Sequence, residues 1–178
     1  MKNSPRRLLL SLVVLVAVAG GAVLFARQRS TENVNGLFGG PEGVRSLAAA
    51  QKVEAFRLAR HAPTRSADNL PPEFGGAEVL SGPIAVAEDD ARLLASILRD
   101  PKTYSWESAK ACKFDPGVAI RFAGGTSTTD VVFCFHCDEI QIYRDGKRVG
   151  GEDIDNARSR LAAIMKHIFP DDRDIQKL

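Results

Sequence analysis

The 178-residue chain is predicted to be α+β. One N-terminal transmembrane helix is expected, followed by a single domain. That domain combines an antiparallel sheet of about five strands with two main helices packed on one face. Three observations predict this. Leu8–Ala26 is a 19-residue run without a charge. Several short stretches between residues 52 and 149 are β-prone, alternate in polarity and are separated by Gly- and Pro-containing turns. Glu88–Arg99 and Ile154–Phe169 repeat apolar residues at helical spacing instead.

Composition sets outer bounds. Apolar content of 44% and charged content of 26% are those of a globular chain. The formal charge of +2 hides an asymmetry, because residues 1–29 carry five basic side chains and no acidic one. The remainder holds 19 basic against 22 acidic residues and is therefore slightly acidic. A nucleic-acid binder shows a basic excess or stripe. Neither is present, so no nucleic-acid partner is expected.

As a helix, Leu8–Ala26 would span about 28 Å, close to the hydrocarbon thickness of a bilayer. Lys2, Arg6 and Arg7 precede it, and Arg27 and Arg29 follow. A cleaved signal peptide would also use a basic start, an apolar core and small residues such as Ala17-Val18-Ala19. The apolar run continues past Ala19 to the arginines, which favours an uncleaved anchor. The excess of basic residues before the span places the N-terminus inside and the domain outside. The expected arrangement is thus a single-pass span with the domain on the outer side of the membrane. The membrane contact runs through residues 8–26.

Residues 1–29 are therefore read as anchor or signal segment, 30–43 as a flexible linker rich in Asn and Gly, and 44–178 as one soluble domain. Val44–Gln51 is predicted as a short helix and Lys52–Ala59 as a strand. His61–Gly76, with Pro63, Pro71 and Pro72, reads as a long surface loop. Ala77–Val86 reads as a strand broken at Gly82-Pro83. Glu88, Asp89 and Asp90 open a helix that Arg99 closes, in the sense that suits its dipole. Tyr104 and Trp106 follow as core aromatics.

Phe114–Ala123 and Asp130–His136 are predicted to pair around Gly124–Thr128. Val118, Ile120 and Phe122 share one face with Val131, Phe133 and Phe135. Val132, Cys134 and His136 then face the other way. Ile140 and Ile142 lead into Asp145-Gly146, a tight-hairpin signal ending near Val149. Ile154, Ala157, Leu161, Ile164, Met165 and Ile168 form the stripe of the last helix, which Pro170 ends.

The chemistry-bearing residues cluster at Cys112, Cys134, His136 and Cys137. Cys134-Phe-His-Cys137 has the C-x-x-C form of a redox site, but a strand, not a helix, is expected after it. Cys112, Cys134, His136 and Cys137 also make a Cys3His set suited to zinc or copper. In a continuous strand Cys134 and His136 face away from Cys137, so that set converges only if the backbone bends at His136. The third reading is a structural disulfide, either from Cys112 to Cys134 or Cys137 or, if the chain bends, between Cys134 and Cys137, leaving one buried thiol. The disulfide weighs most, and no cofactor is then required. Hydrolase serine motifs, phosphate-cradling loops and His-Glu-x-x-His are absent from the sequence, so no catalytic residues are assigned.

The run Cys112-Lys-Phe-Asp-Pro116-Gly117-Val-Ala-Ile-Arg-Phe122 followed by Val-Phe-Cys134-Phe-His-Cys137 resembles small uncharacterised bacterial envelope proteins. These combine one cysteine, a Pro-led strand and a Cys-Phe-x-Cys strand. The resemblance covers residues 110–145. It implies a small α+β domain in the bacterial envelope and no activity; with the N-terminal span, the expected location becomes a bacterial inner membrane, single-pass, with the domain on the periplasmic or extracellular side. Two functions follow as expectations. One is a non-enzymatic, membrane-anchored module that binds or protects an envelope protein partner. The other is a thiol- or metal-handling protein built on the four cluster residues.

Overall fold

The computed structural model describes residues 28, 30–60, 73–106 and 110–178. The expected membrane helix at 8–26 and residues 61–72 of the expected loop His61–Gly76 lie outside the described residues, and Glu73–Gly76 at the end of that loop forms a short 3-10 helix. Among the described residues no helix is long and apolar enough to cross a membrane. The chain divides into two units, Met1–Asn33 and Val34–Leu178. Residues 28 and 30–33 of the first are helical. Everything below concerns the second.

The α+β class stands, with one strand more than expected. Six strands form one sheet in the order β2-β1-β3-β4-β5-β6, and every neighbouring pair is antiparallel. They are β1 Lys52–Leu58, β2 Val79–Ala85, β3 Val118–Gly124, β4 Ser127–Cys134, β5 Glu139–Arg144 and β6 Lys147–Asp153. A helical stretch ending at residue 37 precedes three further helices, α1 Pro41–Ala49, α2 Glu88–Arg99 and α3 Arg158–Ile168. The sixth strand is the return arm of the hairpin at Asp145-Gly146. Both turn residues have positive φ, 49° and 77°, the type I′ geometry that matches strand twist.

Alternation decides which face is buried. Val118 pairs with Phe133 and Ile120 with Val131, and Val131 and Phe133 continue onto Ile142 and Ile140 of β5. These side chains form one core with Leu47 of α1, Leu94, Ile97 and Leu98 of α2, and Leu161, Ile164 and Met165 of α3. All three helices therefore bury their apolar stripes on the same face of the sheet. The expected in-and-out sets hold for Val118, Ile120, Phe122, Val131 and Phe133 against Val132, whereas Phe135 and His136 lie beyond the end of β4. Tyr104 also belongs to this core, its hydroxyl donating to the Leu98 carbonyl and its ring 4.9 Å from Trp106.

A smaller cluster covers the opposite face, built from Phe56, Leu58, Ala119, Val132 and Tyr143 with Phe74 laid over them. Arg121 lies over the Phe74 ring at 4.8 Å and pairs with Asp130 at 2.7 and 2.9 Å. A cation thus lies over an aromatic face of this cluster, held there by its own carboxylate.

Residues 34–43, read as linker, behave differently. The helical stretch runs to residue 37, and Val34, Leu37 and Phe38 enter the main core. Their spacing of three and four puts them on one side of a helical turn. Asn33, Asn35 and Gly36 dilute that signal in the sequence. Gly150 of β6 explains the docking. A Cβ there would sit 2.1 Å from the Leu37 carbonyl oxygen, so only glycine lets the two backbones meet.

Candidate functional site

The cysteine cluster lies at the β4–β5 turn. The strand expected over Asp130–His136 ends at Cys134. Residues 135–138 turn, and Asp138 adopts a left-handed backbone with φ 53°. Aspartate tolerates that conformation better than most residues. The turn is fastened on its far side: Asp138 pairs with Arg158 of α3 at 2.7 Å, and its carbonyl accepts from the Ile154 amide at 2.8 Å.

The bend brings Cys137 against the irregular segment 111–117. Cys112 and Cys137 form a disulfide with Cα atoms 5.9 Å apart, within the usual range. Cys134 is the remaining thiol and is fully buried. Its Sγ accepts the Cys137 amide at 3.3 Å and the Asp115 amide at 3.4 Å. Next to it, the Gly117 amide donates to the Phe133 carbonyl at 2.9 Å, so segment 111–117 is stitched to the end of β4. His136 is exposed at the turn.

Cys112 and Cys137, bonded to each other, have no thiolate to offer a metal. Among the described residues, no group of three His, Cys, Asp or Glu side chains is placed to hold an ion. The four cluster residues are thus gathered in one place, but as a disulfide, a buried thiol and an exposed imidazole.

Charged residues that motif reading passed over complete the site. Cys134 pairs in register with Glu139, and Glu139 with Asp153, so the three lie in one row across β4, β5 and β6. Lys110 reaches the end of that row. Its Nζ donates to the Cys137 carbonyl at 2.8 Å and to Asp155 at 2.6 Å, and lies 3.8 Å from Asp153. Burial, then the neighbouring Asp153, push the Glu139 carboxyl above its ordinary value. Burial opposes the charge on Lys110, but the Asp155 hydrogen bond and Asp153 raise its pKa. Asp153 itself is buried, and its Oδ2 has no hydrogen-bond partner among the described residues. The doublets Asp138-Glu139, where the turn enters β5, and Glu152-Asp153, at the end of the paired β6, are the available signal.

Elsewhere, Arg57 is buried on β1 and donates to Asp172 at 2.7 Å and to the Leu58 and Gly117 carbonyls. Burial opposes the Asp172 charge, but the Ile175 amide and Arg57 hold its carboxyl below its ordinary value. Asp172 thus caps the final turn and ties it to β1. His167 pairs with Asp90 across α3 and α2. A groove of about 830 Å³ runs between α1 and α2. Leu47, Val53 and Ala95 line its inner side, and Glu88, Arg92 and Arg99 its exposed side. No protein-family model, curated protein or solved structure matches the chain.

Proposed function

We propose that this chain is a non-enzymatic, membrane-anchored module of the bacterial envelope that binds or protects a protein partner outside the cytoplasm. The Cys112–Cys137 disulfide carries the reading. Disulfides persist where the surroundings are oxidising. An uncharged run of 19 residues flanked by arginines at the N-terminus supports export and anchoring. The groove between α1 and α2, with an apolar inner side and a charged exposed side, gives a partner both contact area and register. The non-enzymatic part rests on the sequence, which assembles no nucleophile and base at motif spacing.

The test uses the full chain in bacterial cells. Membranes are washed with alkaline carbonate, and intact cells are reduced and labelled with a membrane-impermeant maleimide. The reading expects the chain in the washed membranes, with cysteine labelling that rises on reduction. Recovery in the soluble fraction with three reduced thiols would overturn it.

A further inference from the structure

Three sulfurs meet at the β4–β5 turn, and only two of them are bonded. A cysteine used for packing needs no particular partner. Cys134 sits differently. Its two N–H donors come from the two segments that the disulfide joins: Cys137 itself, and Asp115, three residues beyond Cys112. Both donors aim the positive ends of their dipoles at the sulfur. The 3.3 Å contact also puts the Cys137 Cα within about 4.8 Å of the Cys134 Sγ, adding one N–Cα bond. The turn at 135–138 removes the roughly 10 Å separation that an extended strand would impose on these two residues. Opposite Cys134, in register on the same face, stands Glu139. Directly opposed side chains in an antiparallel pair have Cβ atoms about 5 Å apart.

We propose that the bridge is exchangeable, with Cys134 the resident nucleophile that moves it from Cys112–Cys137 to Cys134–Cys137 and frees Cys112. The Cys134 thiol passes its proton to Glu139. The Cys134 sulfur attacks the Cys137 Sγ, and the new bond forms as the Cys112–Cys137 bond breaks. Cys112 leaves as a thiolate and takes up a proton. One disulfide is exchanged for another, so no oxidant or reductant is consumed. Cys112 is partly exposed, whereas Cys134 and Cys137 are buried. The exchange therefore converts an enclosed thiol into an accessible one, able to form a mixed disulfide with a small-molecule or protein disulfide. This inference rests on the cysteine geometry and does not depend on the anchored-module reading.

Trypsin separates the outcomes. Cys112 falls on the tripeptide 111–113, while Cys134 and Cys137 share the peptide 122–144. The full chain, purified without reductant, is incubated with oxidised glutathione near pH 8, acid-quenched, alkylated and mapped by mass. The expected product carries glutathione on 111–113 and an internal bridge in 122–144. Cys134→Ala is expected to keep the original bridge and to lose at least tenfold in the rate of glutathione addition. Glu139→Gln is expected to slow addition about tenfold without abolishing it. Cys112→Ser is expected to contain the Cys134–Cys137 bridge. Glutathione found on Cys134 or Cys137, an unmodified wild type, or a Cys134→Ala chain that reacts as fast as wild type would each overturn the exchange. Should Cys112→Ser fail to fold, the comparison of wild type with Cys134→Ala still decides.

Discussion

Opening the Cys112–Cys137 bridge is expected to lower the stability of the domain by about 3.5 kcal/mol at 25 °C. The two residues are 25 apart in sequence. In the chain-entropy picture, closing a loop of that length removes about 12 cal/mol/K from the unfolded chain, which gives the figure above. The Cα separation of 5.9 Å is ordinary for a bridge, so no backbone displacement offsets the gain. Three contacts hold the bonded segments together without the bond: Gly117 to Phe133, Asp115 to Cys134, and Lys110 to Cys137. They leave the folded state intact on reduction, so the loss comes from the unfolded ensemble. For a domain of this size about 1 kcal/mol moves Tm by about 2–4 °C, so a drop of about 7–14 °C is expected. The assay is urea unfolding of the oxidised chain and of the same chain kept reduced. The m-value should rise on reduction, because an uncross-linked denatured chain exposes more surface. A loss below about 1 kcal/mol, or an unchanged m-value, would refute loop closure as the source.

Phe133→Ala is expected to cost about 3–5 kcal/mol in denaturant unfolding, since Phe133 is fully buried between β4 and the helices. Gly150→Ala is expected to cost about 1–3 kcal/mol, because its new Cβ would meet the Leu37 carbonyl. Amide exchange should then accelerate first at Phe38 and Gly40, whose N–H groups donate to Val34 and Asn35. Asp172 has a lowered carboxyl pKa in the fold, so its contribution is full above the unfolded value and is lost as pH falls through the folded one. The stability gap between wild type and Asp172→Asn should therefore close in acid, and a gap constant from pH 7 to 2 would contradict the Arg57 and Ile175 assignments. Glu139 has the opposite sign. Its raised value makes the fold most favourable while the carboxyl is protonated, and stability falls as pH rises through the folded pKa. Glu139→Gln should remove that fall, read as a flatter curve of stability against pH.

What the sequence reveals here is set by periodicity. The faces of β3 and β4 and the span of α2 are legible because each repeats its apolar residues at a single period over a full element. β6 is not, because Lys147–Asp153 holds four charged residues and two adjacent glycines and shows no alternation. Its place comes from its partner: the I′ turn at Asp145-Gly146 returns the chain beside β5. Residues 34–38 are obscured in a similar way, since three core side chains lie among Asn and Gly. The end of β4 is the most instructive case. Phe135, His136 and Cys137 read as a continuation of the strand, and the bend depends on one aspartate accepting positive φ. That bend decides which cysteine reaches Cys112. Pattern reading therefore names the cluster and leaves its pairing open. Lys110 and Asp153 join the site through tertiary placement, which leaves no local trace.

The strand order carries a consequence for how the sheet is assembled. β3 to β6 form a meander whose seams close over turns of two to four residues, so each forms at small entropic cost. β1 is different. Its seam with β3 joins segments separated by the 59 residues between Leu58 and Val118. It is also the seam through which β1 and β2 join the rest of the sheet. A chain emerging from its N-terminus delivers β1 and β2 first, yet they have nothing to pair with except each other until residues 118–124 arrive. During synthesis the earliest strands are thus the last to be sheltered, and the meander made later is the template on which they close.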